Sequence, residues 1–277
     1  MKDKWYTRAL KYLSAIAVFV VVAFPVYWII SCSFRHQSEF MVANAPLWSW
    51  DLTFENYYTV FMKADFGRCI VNSCIYTFAT VALTVAIAAM GSHAFAHFKN
   101  FRAAKRMQAF LYIQQMLPSL MMTIPMFLIY WKLGILNTYT SLILVYSCSG
   151  NLVVAVTMLN GYFAEVSYDL FDAAYIDGAS AWQAFYRVLL PLARAGMICV
   201  AIYTFIVTWQ EFSYAQNLIT DNKMFNVTVG LAAFNKERGK DWGGLFAAST
   251  LIMVPTLVMM VTVQNYFIDS LAGAVKE

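Results

Sequence analysis

Charge is what this sequence has least of. Only 12% of its 277 residues are Asp, Glu, Lys or Arg, while 61% are hydrophobic. A soluble globular domain carries roughly 25% charged residues, so the scarcity argues for a bilayer rather than water as the solvent. Paired cysteines are missing too. Cys32, Cys69, Cys74, Cys148 and Cys199 are scattered in or beside apolar runs with no CxxC pair, which argues against a disulfide framework and reads as small buried hydrophobes. Histidine is rare. His93 and His97 stand at i,i+4 without a third ligand, so they read as structural residues near the interface rather than as a metal site. Neither HExxH nor a phosphate cradle occurs, since Gly239-Lys240 is followed by Asp241. No catalytic residue and no cofactor bound by this chain is expected. The net charge of +4 makes no case for nucleic acid. With no internal repeat or low-complexity tract, residues 1–277 read as one membrane domain.

What is present is a series of long apolar runs. Tyr12–Phe34, Cys69–Phe98, Met107–Trp131, Leu133–Ala164 and Trp242–Ile268 carry no charge, and a shorter run, Ala195–Gln210, ends against Glu211. A spanning helix needs about 20 mostly apolar residues, so six crossings are expected and the fold class is an all-α membrane protein. The first run is too long for the h-region of a signal peptide and reads as an uncleaved span. Lys2, Lys4, Arg8 and Lys11 precede it, and Lys99, Arg102, Lys105 and Arg106 crowd the turn after the second. Positive loops stay inside, which predicts cytoplasmic N- and C-termini. Lys223, Lys236, Arg238 and Lys240 in the last outer loop run against that rule. Trp48 and Trp50 read as interfacial anchors. Pro118 and Pro125 interrupt the third run, as they do beside pathways and also in ordinary kinks.

Between the fourth and fifth runs, about 163–194, lies a polar, alanine-rich loop predicted to be cytoplasmic. Asp172-Ala173-Ala174 fits one short helix, whose small side chains let another protein approach. Gly178 permits a bend that a β-carbon would resist, and Pro191 ends the segment. Ile176, Trp182, Phe185, Val188 and Leu190 are more apolar than a merely solvated loop requires. The loop therefore reads as a docking element.

Asp172-Ala-Ala, three residues, Gly178, nine residues, Val188, one residue, Leu190-Pro191 resembles, at matching spacing, the loop by which permeases of ABC importers grip their ATPases. The string 173–180 is similar to that of carbohydrate permeases of the maltose second-subunit type. Leu133–Tyr139, Trp209-Gln-Glu-Phe212, Gln264–Phe267 and Gly273-Ala-Val-Lys276 resemble further signatures of that family in order. Asp172 stands for the family's Glu, Ser167 and Gly196 for prolines, Gln210 for Asn and Glu277 for Gly.

The resemblance implies a type I importer fold in a prokaryotic inner membrane. It also implies a second homologous permease, two ATPase subunits carrying the ATP and Mg, and an extracytoplasmic binding protein that delivers a sugar. The ATPase-facing residues would be Asp172, Ala173, Ala174, Asp177, Gly178, Ala179, Leu190 and Pro191, with Gly273, Ala274, Val275 and Lys276 at the tail. Gln114, Asn151, Trp209, Gln210 and Glu211 are candidates for the solute pathway, and each is also an ordinary helix-packing or anchoring residue. Glu211 fits a structural role at the outer mouth as well as substrate contact. A polyol or glycerol phosphate ester as cargo, and an ATPase-independent secondary transporter, stay open as alternatives.

Overall fold

The computed structural model describes residues 5–97, 101–166, 169–237 and 241–274. Lys2, Lys4, Lys99, Ser167, Arg238, Lys240, Val275, Lys276 and Glu277 therefore lie outside the described residues. Among those described there is no β-strand, only an isolated bridge between Arg35 and Leu52.

Three helices are long and apolar enough to cross a membrane unbroken: Leu10–Ser33, Phe66–His97 and Trp242–Thr262. Three more crossings arise as bent pairs. Arg102–Met116 meets Ser119–Lys132 at 107°, Tyr139–Cys148 meets Gly150–Ala164 at 45°, and Ala181–Leu192 meets Arg194–Trp209 at 75°. Counting each pair once gives up to six by length and composition, with Ala181–Leu192 falling inside the expected loop, 163–194.

The breaks have local causes. Pro118 cannot donate a backbone hydrogen bond and forces the residue before it out of the helical region. Leu117 accordingly sits at φ −81°, ψ 124°. Pro125, by contrast, stays inside its helix. The fourth run was expected to be one helix and instead breaks at Ser149, which is extended at φ −81°, ψ −164° and precedes Gly150. A Ser–Gly pair is a recurrent site of helix kinks.

The chain divides into two compact units, residues 1–67 with 231–255 and residues 68–230 with 256–277. In the first, Arg35 is fully buried. It donates to Glu39 at 3.3 Å and to the Pro46 carbonyl at 2.9 Å, and it lies 5.9 Å from the centre of the Trp28 ring. A hydrogen bond from Ser49, and then the Arg35 charge, hold the Glu39 carboxyl below the usual range. Asn56 ties this turn down by donating to the Ser33 and Arg35 carbonyls at 3.0 and 2.9 Å. Trp48 and Trp50 pack edge to face at 5.4 Å, with Trp50 88% exposed as an anchor should be.

The second unit has two apolar centres. One gathers Ala88, Ala155, Leu159, Phe163, Phe171, Phe185 and Val200; the other gathers Tyr76, Leu142, Tyr146, Tyr214 and Leu218. Small residues bring the helices of this unit close. A β-carbon on Gly196 would lie 2.5 Å from the Tyr162 ring, so the fifth crossing touches the fourth at that point.

The Leu133–Tyr139 turn has a specific geometry. Gly134, at φ +68°, donates to the Trp131 carbonyl and Ile135 donates to Tyr130, the two bonds that close a helix C-terminus through a left-handed residue. The Asn137 carbonyl oxygen then accepts from the backbone N–H groups of Thr220 and Asp221 at 2.6 and 3.1 Å. That latches the turn to the segment after Leu218.

Candidate functional site

The loop of the Asp-Ala-Ala motif folds as two short helices with no slack between them. Asp169–Ile176 ends when Gly178, at φ +84°, donates to the Tyr175 carbonyl at 3.0 Å and Ala179 donates to Ala174 at 2.9 Å. These two bonds satisfy carbonyls that a helix end leaves free. One residue later Ser180 starts the next helix. Its hydroxyl accepts from the Gln183 N–H at 3.3 Å, and its own N–H donates to the Gln183 side chain at 2.8 Å. The helix Ala181–Ala184 then runs through a π turn, Phe185–Leu189, into Leu190–Leu192.

One face of this element is pinned and the other is bare. Phe171 and Phe185 are buried, and the His93 ring stacks on Phe171 at 5.5 Å and leans on Phe185 at 5.2 Å. His93 is thus an anchor for the loop, and no described group of three or more ligating side chains surrounds it. Asp172, Ala173, Tyr175, Asp177 and Gly178 are exposed, with Ile176 86% and Trp182 63% exposed. Ala174, Ala179 and Leu190 are partly covered, and Pro191 is exposed. Gly273 and Ala274 fall in the last helix, Trp242–Ala274.

The second feature is a cavity of about 460 Å³ walled by the third, fourth and fifth crossings. That volume lies within the roughly 300–1,000 Å³ typical of small-molecule pockets. Two of the three helix breaks border it, with Leu117 and Pro118 on one side and Ser149 and Gly150 on another. Irregular backbone at membrane depth is tolerated where it lines a cavity or is buried in protein. The break at Ser149 would leave the Cys148 carbonyl without a partner, but Gln114 donates its side-chain amide there at 2.8 Å. Cys148 is consequently not a buried hydrophobe like Cys32, Cys69 and Cys199; it is exposed and on the cavity wall.

Glu211 closes one end of the wall. Tyr146 donates its hydroxyl to the carboxylate at 2.8 Å, and the Tyr214 and Ala215 N–H groups donate at 2.9 and 3.2 Å, so Glu211 caps the helix Ser213–Leu218. Its backbone carbonyl accepts from Asn226 and Thr228 at 2.8 and 2.7 Å. One residue joins the fourth crossing, the fifth, and the segment that follows.

Of the pathway candidates, Gln114, Asn151 and Glu211 share this cavity. Trp209 is only 1% exposed, stacks on Phe205 at 5.7 Å and is not on the wall; neither is Gln210, which is exposed elsewhere. Tyr203 and Val207 precede Glu211 on the fifth crossing at spacings of four. That one-face stripe was readable as a period of 3.6. Tyr146 and Tyr214 carried no comparable signal.

The profile of the family described as "Binding-protein-dependent transport system inner membrane component" matches residues 86–272. The chain belongs to that family. Among its relatives are the diacetylchitobiose uptake system permease of Streptomyces coelicolor, 30% identical with all of both chains covered, and the trehalose/maltose transport system permease of Thermococcus litoralis, 30% identical over all of this chain and 99% of that one. A solved bacterial ABC transporter involved in import of the acidic polysaccharide alginate has a chain that superposes with a TM-score of 0.83. It is 19% identical, with 96% of this chain and 99% of that one covered. The fold is that of a type I ABC importer permease. This family member is a multi-pass transport subunit and not an enzyme, and hydrolysis belongs to a separate subunit.

Proposed function

We propose that this permease carries a carbohydrate, an oligosaccharide, handed over by an extracytoplasmic binding protein. The supporting observation is full-length similarity at 30% identity to two permeases named for saccharides. A cavity lined by carboxamides and tyrosines agrees with it. The working unit on this reading adds a second permease and two ATPases that hold the ATP and Mg; this chain binds no cofactor. Both termini face the cytoplasm, as does the loop about 163–194, because Arg102, Lys105 and Arg106 follow the second crossing. Residues 1–277 act as one permease domain.

In this mechanism the exposed face around Ala173, Ile176 and Gly178 seats in a groove of an ATPase, with Leu190 and Pro191 behind it. His93, Phe171 and Phe185 pass its motion to the second crossing. The tail from Gly273 to Lys276 is a further ATPase contact. Asp172 is exposed at the first turn of its helix, one methylene shorter than the family's Glu. The fit therefore rests more on the small residues and on Gly178. The test is Ala174→Arg or Gly178→Arg in the complete transporter. Loss of ATPase co-purification and of uptake is expected; survival of both overturns the docking role. Uptake that persists without the ATPase but collapses with the ion gradient would instead favour a secondary transporter.

A further inference from the structure

We propose that the cavity selects uncharged saccharides and turns away uronates and phosphate esters, a specificity that rests on the carbohydrate reading above. Among the described residues, the cavity wall holds no Lys, Arg or His. A carboxylate or phosphate brought into it would leave water without gaining a counter-charge, and a buried charge without a partner is strongly disfavoured. The one carboxylic side chain on the wall among the described residues is Glu211. Its side chain is already engaged by the Tyr146 hydroxyl and by the backbone N–H groups of Tyr214 and Ala215. Those donors are also spent. Glu211 therefore offers an entering anion neither a counter-charge nor a free donor.

What remains uncommitted fits hydroxyl groups. The amides of Gln115 and Asn151 and the hydroxyls of Tyr203 and Tyr214 line the cavity and show no hydrogen bond among the described residues. Gln114 has given its amide to Cys148, which leaves its carbonyl oxygen to accept. Amides and phenols both donate and accept, as sugar hydroxyls do, and tyrosine rings offer faces to the apolar side of a pyranose. The chain thus shares its fold with a subunit of an alginate importer while walling its cavity for a neutral solute.

The experiment uses the complete solubilised transporter and saturation-transfer NMR with three probes: maltotriose, diacetylchitobiose and trigalacturonate. Only signal lost in Asn151→Leu is counted as cavity binding, with assembly checked by size-exclusion chromatography. Cavity signal from a neutral probe and about tenfold less from trigalacturonate is expected, because a carboxylate that leaves water without a counter-charge is disfavoured. Asn151→Lys supplies the missing cation and is expected to raise the trigalacturonate signal, a gain that misfolding would not produce. Equal cavity signal from the uronate in the unmodified transporter overturns the selectivity and leaves the carbohydrate reading standing. Uptake of a neutral probe without cavity signal overturns the cavity's role alone. A transporter that neither binds nor takes up any of the three overturns the carbohydrate reading itself.

Discussion

Gln114 and Cys148 hold two broken helices together across the cavity, the amide of one donating to the carbonyl of the other at 2.8 Å. The bond sits between the 107° break of the third crossing and the 45° break of the fourth. Each break alone leaves backbone polar groups short of partners, which is costly away from water. Paired, one break supplies the side chain that satisfies the other.

Replacing Gln114 tests this brace. Gln114→Leu removes the donor, and Gln114→Glu keeps the size but has no N–H when ionised. Both are expected to destabilise the transporter by about 0.5–1.5 kcal/mol, the net contribution of a hydrogen bond whose partners water can reach. Gln115→Leu, which breaks no internal bond, is expected to leave thermal stability nearly unchanged. Melting of the purified complex would check all three, and equal stability of the Gln114 and Gln115 variants would refute the brace.

The Tyr146–Glu211 pair should behave as a coupled unit. Tyr146→Phe removes one of the carboxylate's donors and is expected to cost about 1–3 kcal/mol, the range for bonds to charged or newly unpaired buried groups. Glu211→Gln turns an N–H₂ group toward donors and should cost at least as much. The double variant is expected to lose less than the sum, since neighbours within one network are not additive. Additive losses would mean that the two residues stabilise the protein independently.

Gly178 isolates backbone conformation from crowding. Its φ is +84°, and no atom lies within 4 Å of where a β-carbon would stand. Gly178→Ala should therefore cost roughly 1–2 kcal/mol through the left-handed conformation alone, and Gly178→Asn less. ATPase co-purification should follow the order Gly, Asn, Ala, Val. If all four assemble equally, the turn does not set the fit.

Gly196 presents the opposite case. Its backbone is helical, but the Tyr162 ring occupies the space of a β-carbon. Gly196→Ala is expected to destabilise the protein through overpacking by about 1–3 kcal/mol, read as a lower melting temperature. Gly196→Ala combined with Tyr162→Ala should recover part of that loss, and no recovery would place the strain elsewhere.

Much of this arrangement was legible in the sequence, for physical reasons. Charge-free runs marked all six crossings because burial in lipid forbids charge nearly everywhere along a span. The loop at 163–194 stood out because Asp172-Ala-Ala, Gly178 and Pro191 each carry a backbone consequence. Pro118 announced a break, whereas Ser149-Gly150 did not, since neither residue is a strong breaker within an apolar run. Trp209 drew notice through its motif, yet it sits two residues from Glu211 and so points to roughly the opposite side of the helix. The buried side is where the structure puts it. Tyr146 and Tyr214 were invisible because their roles come from a carboxylate 65 and 3 residues away. Only the folded chain brings Tyr146 to it.

The closed end at Gly178 and Ala179 abuts the capped start at Ser180 without a spare residue. A hinge there would absorb some of every ATPase stroke as lost motion. The N–H groups from Asp177 to Ser180 are all bonded, so on the docking role proposed above a displacement at Ile176 would reach His93 with little attenuation. Coupling efficiency, the solute moved per ATP spent, would on that role be a property of this corner. Inserting a single glycine after Ala179 should lower that ratio even where hydrolysis itself continues.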